Sequence, residues 1–313
     1  MITWQPDELH SVKCDFCASE EIAFEYVRAD NMRVVECAVC GLGYLNPRPI
    51  DSLIGRLYEE AYFTGIMRSK YNSGLNISVR NKTKNKVHRP IEIIEDRFLG
   101  VRNKQRLEIG CATGDLMLAL RAQGADVHGL EISEYAAELA RKRSLDVITG
   151  TIDDISHLYD VYDIIMAFEV IEHLTNPAEF LSAVSRLLKP NGILLMSTPN
   201  YHGAIRYGND WSGFNYSFEH IHFFSIEVLR KMAIRSNLKL EYWETSLDPT
   251  GPPYGLSFVK RQINKVWIIC MLSKDIGVKK TIKRISGKYP LYFPYGNGRT
   301  ITALFQKKGA AFS

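Results

Sequence analysis

The sequence predicts an α/β chain, a mostly parallel seven-stranded sheet flanked by helices and preceded by a small metal-binding ribbon. Three observations carry that expectation. From residue 105 to 249, short apolar runs alternate with amphipathic stretches, the pattern of strand–helix repeats in a parallel sheet. The first run ends in a glycine-rich turn, Gly110-Cys-Ala-Thr-Gly114, where a helix begins. Ahead of these repeats stand two Cys-x-x-Cys pairs.

The elements follow in order. Cys14-Asp-Phe-Cys17 is separated by nineteen residues from Cys37-Ala-Val-Cys40-Gly41, a spacing that fits a tetrahedral four-thiolate zinc ribbon. Ile22–Val27 and Met32–Val35 alternate as hairpin strands around an Ala29-Asp30-Asn31 turn. So short a hairpin is expected to have little core, with the metal supplying much of its stability. Residues 50–63 read as a helix ending in Tyr62-Phe63, 64–90 as a basic loop or lid, and Ile91–Leu99 as a short helix. Strands are expected at 107–109, 126–130, 146–149, 162–168, 193–197, 238–243 and 300–306. Ser133 caps one helix; Asn176, Pro177 and Glu179 supply N-cap, N1 and N3 of another. Pro190-Asn-Gly192 reads as the turn into the fifth strand, and Ser225–Ser236 as a helix. The expected units are a ribbon over 1–49, linker and lid over 50–104, a core over 105–249, and a basic insertion over 250–313 that returns the final strand at 300–306.

Composition bounds the function. At 313 residues the chain has room for about two domains. With 46% hydrophobic and 24% charged residues it is an ordinary globular sequence, which argues against disorder or a disulfide-stapled miniprotein. The first residues show no secretory pattern, and no apolar run is long enough to span a bilayer, so a cytoplasmic location is expected. The net charge of +4 is unevenly spread. From Thr250 onward twelve Lys and Arg face one acid, a net +11, which leaves −7 on the first 249 residues. The mixed apolar and basic stretch from Leu256 to Lys288 reads either as a helix packed on the protein or as an amphipathic element at an anionic membrane.

The chemistry concentrates at strand ends. Small residues in the Gly110–Gly114 turn let a ligand approach the backbone and meet helix N-terminal N–H groups. The dinucleotide fingerprint wants glycine where Asp115 stands, so a nicotinamide cofactor is disfavoured. Glu131, about twenty residues on, can accept both hydroxyls of a ribose. Phe168-Glu169-Val-Ile-Glu172-His173 follows the fourth strand, where His173 could take a proton from a hydroxyl.

These pieces resemble the class I S-adenosylmethionine-dependent methyltransferases, whose fold is Rossmann-like. The matching strings are Leu107-Glu-Ile-Gly-Cys-Ala-Thr-Gly114, Gly129-Leu-Glu131-Ile-Ser, Tyr162 to Leu174, and Leu188-Lys-Pro-Asn-Gly192, in the family's order and spacing. The resemblance implies that Glu108, Gly110, Ala112 and Gly114 hold the methionine part of the cofactor. It implies Glu131 on the ribose and Ile132 beside the adenine. Thr151, Ile152, Asp153 and Phe168 become further cofactor candidates; Thr151 stands where the family often has an acid. Glu-Val-Ile-Glu-His, with a later acid–His pair, also resembles the small-RNA 2′-O-methyltransferases. That resemblance implies a second, divalent metal on Glu169, Glu172, His173 and His220. A four-cysteine module ahead of the fold resembles bacterial methyltransferases of nucleotide-linked sugars and surface-polysaccharide precursors, which include C-methylating members. The expected activity is methyl transfer to a hydroxyl of a small, sugar-like acceptor. RNA 2′-O-methylation and sugar C-methylation are the alternatives, and the intact glycine turn with Glu131 argues against a non-catalytic binding protein.

Overall fold

A computed structural model of the chain describes residues 4–54, 91–95, 104–215, 217–247, 291–293 and 299–309. The N-terminal ribbon contains β1 (Leu9–His10), β2 (Ile22–Val27), β3 (Arg33–Cys37), β4 (Gly43–Leu45) and β5 (Arg48–Pro49). The β2–β3 hairpin turns at Ala29-Asp30-Asn31, with Asn31 in the left-handed region at φ 65°. There the Asp30 carboxylate accepts the Met32 N–H at 3.2 Å, a local bond that fixes the turn. Gly41, just past the second cysteine pair, has φ +82°, a conformation in which a side chain is strained.

The ribbon is not the coreless hairpin that its length implies. Val34, Val35 and Leu42 are fully buried. Phe16, Val35, Leu42 and Tyr44 join one apolar cluster with Val228, Leu229 and Met232 of the following domain. β4 also pairs antiparallel with His222–Phe223, far along the chain, so this four-stranded sheet is built from both parts. Lys231 donates to the Cys40 carbonyl at 3.2 Å and Arg235 to the Phe16 carbonyl at 2.9 Å. Burial against a neighbour thus supplies apolar stabilisation that the ribbon alone could not.

The second layer is the larger sheet. In chain order come β6 (Gln105–Ile109), α1 (Asp115–Arg121), β7 (Asp126–Glu131), α2 (Glu134–Lys142), β8 (Val147–Thr149), β9 (Tyr162–Phe168), α3 (Pro177–Leu187), β10 (Leu188–Pro199), β11 (His222–Phe223), α4 (Ile226–Arg235), β12 (Leu238–Leu247), β13 (Leu291–Phe293) and β14 (Thr300–Lys307). The order across the sheet is β13-β12-β14-β10-β9-β6-β7-β8. β8, β7, β6, β9 and β10 pair in parallel, and β14 runs antiparallel between β10 and β12. The seven expected strands are present, and β13 adds a short eighth at the β12 edge. Helix starts follow their caps: Ser133 Oγ accepts from Ala136 N, Asn176 Oδ1 from Glu179 N, and Ser225 Oγ from Val228 N.

One element differs from its expectation. Pro190-Asn-Gly192 is not a turn ahead of a separate strand; β10 runs through it from Leu188, with its register against β9 shifted between Leu188 and Ile193. Asn191 takes φ 65°, and a Cβ on Gly192 would lie 2.9 Å from the Lys189 carbonyl oxygen. The segment is a bulge that only a small, permissive residue can close. The lid at 64–90, the helix end at Tyr62-Phe63 and the basic stretch 256–288 lie outside the described residues. Among the described residues no helix is long and apolar enough to cross a membrane.

Candidate active site

β6 has β7 on one side and β9 on the other, so the crevice opens at their carboxyl ends, where ligands bind in open α/β sheets. The turn after β6 is built for close approach. Gly110 and Gly114 have φ +70° and +78°; a Cβ on Gly114 would sit 2.1 Å from Leu145 Cδ1. Ala112 also takes a positive φ, 47°. Glu131, buried at the end of β7, holds this loop: its Oε2 accepts the Ala112 N–H at 2.8 Å and its Oε1 the Ser133 N–H at 2.9 Å. Each oxygen keeps a lone pair for a ligand hydroxyl. Burial raises the Glu131 pKa, and the surrounding backbone N–H groups oppose that rise.

Glu108, on β6, is buried, and its Oε2 has no hydrogen-bond partner. Burial first, then the charges of Asp115 and Glu131, push its carboxyl up to about 8. Three acids therefore converge on one glycine turn, an arrangement that repels anions and suits a cationic ligand. Asp115 itself pairs with Arg143 at 2.8 Å, which ties the first turn of α1 to the end of α2.

The other cofactor candidates ring this turn. Ile132 is exposed immediately after Glu131, and Phe168 is half-buried at the end of β9. Thr151 opens a short 3-10 turn, Ile152–Ile155, and its N–H is held by Asp154 Oδ2 at 2.7 Å. Asp154 thus serves the backbone, whereas Asp153 is exposed.

On the β9 side the chain makes a second turn against the first. A Cβ on Gly110 would meet Val170 Cγ2 at 2.7 Å, so the Glu169–His173 segment abuts the glycine turn. Glu172, His173 and His220 each offer a ligand atom within 4.8 Å of the others. The His173 and His220 rings stand edge to face with centroids 4.7 Å apart, and His220 Nε2 lies 3.9 Å from Glu172 Oε1. Both Glu172 oxygens and His220 Nδ1 are buried without hydrogen-bond partners. Burial raises the Glu172 carboxyl well above its usual range, and the Glu169 charge adds to that. Burial lowers His173 to about 4 and drives His220 down as well. Glu169 does not join this group: its Oε1 accepts the Ser197 hydroxyl at 2.7 Å, and its φ is 56°. Of the four residues expected around a second metal, three are brought together.

In the ribbon, the Cys14–Cys40 and Cys17–Cys37 sulfurs are 3.4 and 3.5 Å apart, and all four sulfurs lie within 4.8 Å of one another. A tetrahedral zinc with ~2.3 Å bonds spaces its sulfurs about 3.8 Å apart, so the cluster is the right size for the ion.

A family profile described as the methyltransferase domain matches residues 84–242, just over half of the chain. The chain belongs to the methyltransferase domain family. Its Rossmann-like fold is that of solved S-adenosylmethionine-dependent methyltransferases. The ubiquinone biosynthesis O-methyltransferase of Photobacterium profundum is 32% identical over 117 residues, covering 35% of this chain and 50% of the relative. The enzyme of that name from Vibrio atlanticus is 33% identical over 117 residues, covering 35% and 49%. The chain thus spans about half the length of the curated relatives it matches. Among solved structures, an S-adenosylmethionine-dependent methyltransferase from Thermotoga maritima superposes with a TM-score of 0.53 at 17% identity, covering 83% of this chain and all of that one. The plantazolicin methyltransferase, in complex with S-adenosylhomocysteine, gives 0.50 at 15% identity, covering 82% and 94%. These two likenesses concern the fold.

Several site residues carried no sequence signal. The sequence places Ser197-Thr-Pro-Asn200 at the expected wall of the acceptor site, but gives no sign that Ser197 holds Glu169. Asp15 lies inside the first Cys-x-x-Cys pair, yet its Oδ2 meets His222 Nε2 and Arg48 Nη1, each at 2.8 Å. Partners 33 and 207 residues away cannot be read from local spacing.

Proposed function

We propose that the methyltransferase transfers its methyl group to a hydroxyl of a small, polar acceptor seated between the glycine turn and the Glu172–His173 turn. The observation that carries this is the convergence of buried Glu108, with its partnerless oxygen, and Glu131 on a turn that abuts the His173 segment. The acids suit a cofactor bearing both ammonium and sulfonium charge, and the close-packed turn suits its backbone contacts. Bound S-adenosylmethionine supplies an electrophilic methyl group on sulfur.

In this reading Glu131 takes the ribose hydroxyls and Glu108 the cationic end, with Gly110, Ala112 and Gly114 leaving room for the chain between them. Ile132 flanks the base, and Thr151, Ile152, Asp153 and Phe168 close its surroundings. His173 is neutral at physiological pH, because burial lowers it to about 4. A neutral ring can accept the acceptor's proton as the methyl group arrives, with Glu172 and His220 beside it to receive charge. The remaining contribution is alignment of acceptor oxygen, methyl carbon and sulfur. A nucleotide- or lipid-linked sugar hydroxyl is the acceptor class that the ribbon-bearing resemblance favours. The relatives' printed name adds O-methylation as a precedent.

The ribbon over 1–49 is read as a structural zinc module, because its four sulfurs are gathered at a fitting size. The core is read as 105–249, with 50–104 as linker and lid and 250–313 as a basic insertion that returns the final strand; contact of that insertion with an anionic membrane is the alternative to its packing on the protein.

A second reading has its own observation. Glu172, His173 and His220 form a compact O,N,N set, and partnerless buried atoms on Glu172 and His220 would be satisfied by a divalent cation. Such an ion would lower the pKa of an acceptor hydroxyl, and this reading extends to an RNA ribose.

Incubation with methyl-tritiated S-adenosylmethionine and fractionated cell extract tests both. Label in acid-stable small-molecule methyl ethers, with activity surviving chelation, supports the first reading. Label confined to RNA and abolished by chelation, while the ribbon zinc is retained, replaces it with the second. Label on carbon would move the activity to C-methylation.

A further inference from the structure

The segment that carries His220 is held from the ribbon side at almost every residue. Arg28, at the end of the β2–β3 hairpin, is 2% exposed and donates through Nη2 to the Phe218 carbonyl at 3.0 Å and through Nη1 to the His220 carbonyl at 2.7 Å. Its Nε and Nη2 also meet the two oxygens of Asp30, whose side chain is 6% exposed. The guanidinium lies over the Phe218 ring, 5.6 Å from its centroid. Next along the chain, Leu45 N donates to the Ile221 carbonyl at 2.9 Å, and His222 pairs with Tyr44 and meets Asp15. From the other side, Ile221 N donates to the Glu172 carbonyl at 3.0 Å. The strand is thus clamped between the ribbon and the Glu172–His173 turn.

We infer that Arg28 is a positioning residue: the ribbon hairpin reaches into the methyltransferase domain and sets the place of the His220 ring against Glu172 and His173. A planar fork with five donors is the side chain suited to this. It bonds two carbonyls two residues apart while a carboxylate fixes its opposite edge, so the carbonyls cannot rotate independently. The functional weight of the inference rests on the acceptor lying beside Glu172 and His173. The ribbon is then a part of the acceptor half of the site, and the cofactor half does not depend on it.

Two variants test this. Arg28→Met combined with Asp30→Asn removes both buried charges, and the new side chain at 30 can still accept the Met32 N–H. Arg28→Lys keeps the charge and loses the fork. The readouts are S-adenosylhomocysteine affinity by calorimetry, zinc content, amide exchange, and the imidazole signals of His173 and His220 by nuclear magnetic resonance. In the double variant, exchange at the His220 and Ile221 amides is expected to rise at least tenfold and the ring-to-ring contact of His173 and His220 to be lost. S-adenosylhomocysteine affinity stays within twofold, and zinc stays at one equivalent. Arg28→Lys is expected to fall between wild type and the double variant. Unchanged Ile221 protection and unchanged imidazole signals in both variants would overturn the inference. So would exchange that rises equally across the whole chain, since Arg28 would then serve the fold at large. Wild-type protein that fails to bind S-adenosylhomocysteine would defeat the proposed cofactor site, while leaving the exchange and imidazole results to decide the role of Arg28.

Discussion

Lowering the pH should weaken S-adenosylmethionine binding through Glu108. In the free protein burial and two neighbouring acids hold this carboxyl up to about 8, so it is largely protonated at neutral pH. A cationic ligand beside it favours the ionised form, and binding must then expel a proton. While Glu108 is protonated in the free protein and ionised in the complex, affinity rises at most tenfold per pH unit. Between about pH 5.5 and 7 that amounts to as much as ~30-fold, with close to one proton released per ligand. Calorimetry in two buffers of different ionisation enthalpy reads both quantities. Glu108→Gln should flatten the dependence, and S-adenosylhomocysteine, which keeps the ammonium group assigned to Glu108, should share the wild-type slope. Flat wild-type affinity without proton release would refute the reasoning. An undiminished slope in Glu108→Gln would assign the proton to another group.

Three further outcomes are expected. Glu131→Ala should weaken S-adenosylhomocysteine binding by ~1.5–3 kcal/mol, the scale of hydrogen bonds to a charged group, and unchanged affinity in a folded variant would move the ribose site elsewhere. Protein purified without added metal should carry one zinc per chain on Cys14, Cys17, Cys37 and Cys40; a well-folded preparation with less than about half an equivalent would remove the ribbon assignment. The cofactor-free protein should lose stability as pH rises from about 6.5 toward 8. Glu108 and Glu172 are both held above their unfolded values, so the native state binds more protons in that window, whereas below it the lowered His173 and His220 offset them. Glu172→Gln should reduce this loss, and a melting curve series that is flat with pH in wild type would contradict the sign.

What the sequence disclosed follows a physical divide. Strands β6 to β10, the caps at Ser133 and Asn176, and the glycine turn are written in local periodicity and in residues chosen for their own backbone, so spacing suffices to find them. Glu131 was legible for the same reason, standing at a strand end at a set distance from the turn. The cysteine pairs announce their cluster because two knuckles impose a short repeat. The docking of the ribbon was not legible. It depends on the pairing of Tyr44 with His222 and on the reach of Arg28 to Phe218 and His220, contacts between segments some 180–190 residues apart. Pro-Asn-Gly serves a turn and a bulge alike, and at Pro190–Gly192 only the neighbouring β9 decides which. Glu169, which the resemblance groups with Glu172, instead accepts from Ser197, a partner 28 residues away that local spacing does not reveal.

The most direct test of the account is a crystal structure of the protein with bound S-adenosylhomocysteine. The account predicts both ribose hydroxyls on Glu131, the amino group within hydrogen-bond reach of Glu108, and the sulfur facing the Glu172–His173–His220 group. A ligand whose sulfur faces away from that group, or one bound away from the Gly110–Gly114 turn, would contradict it.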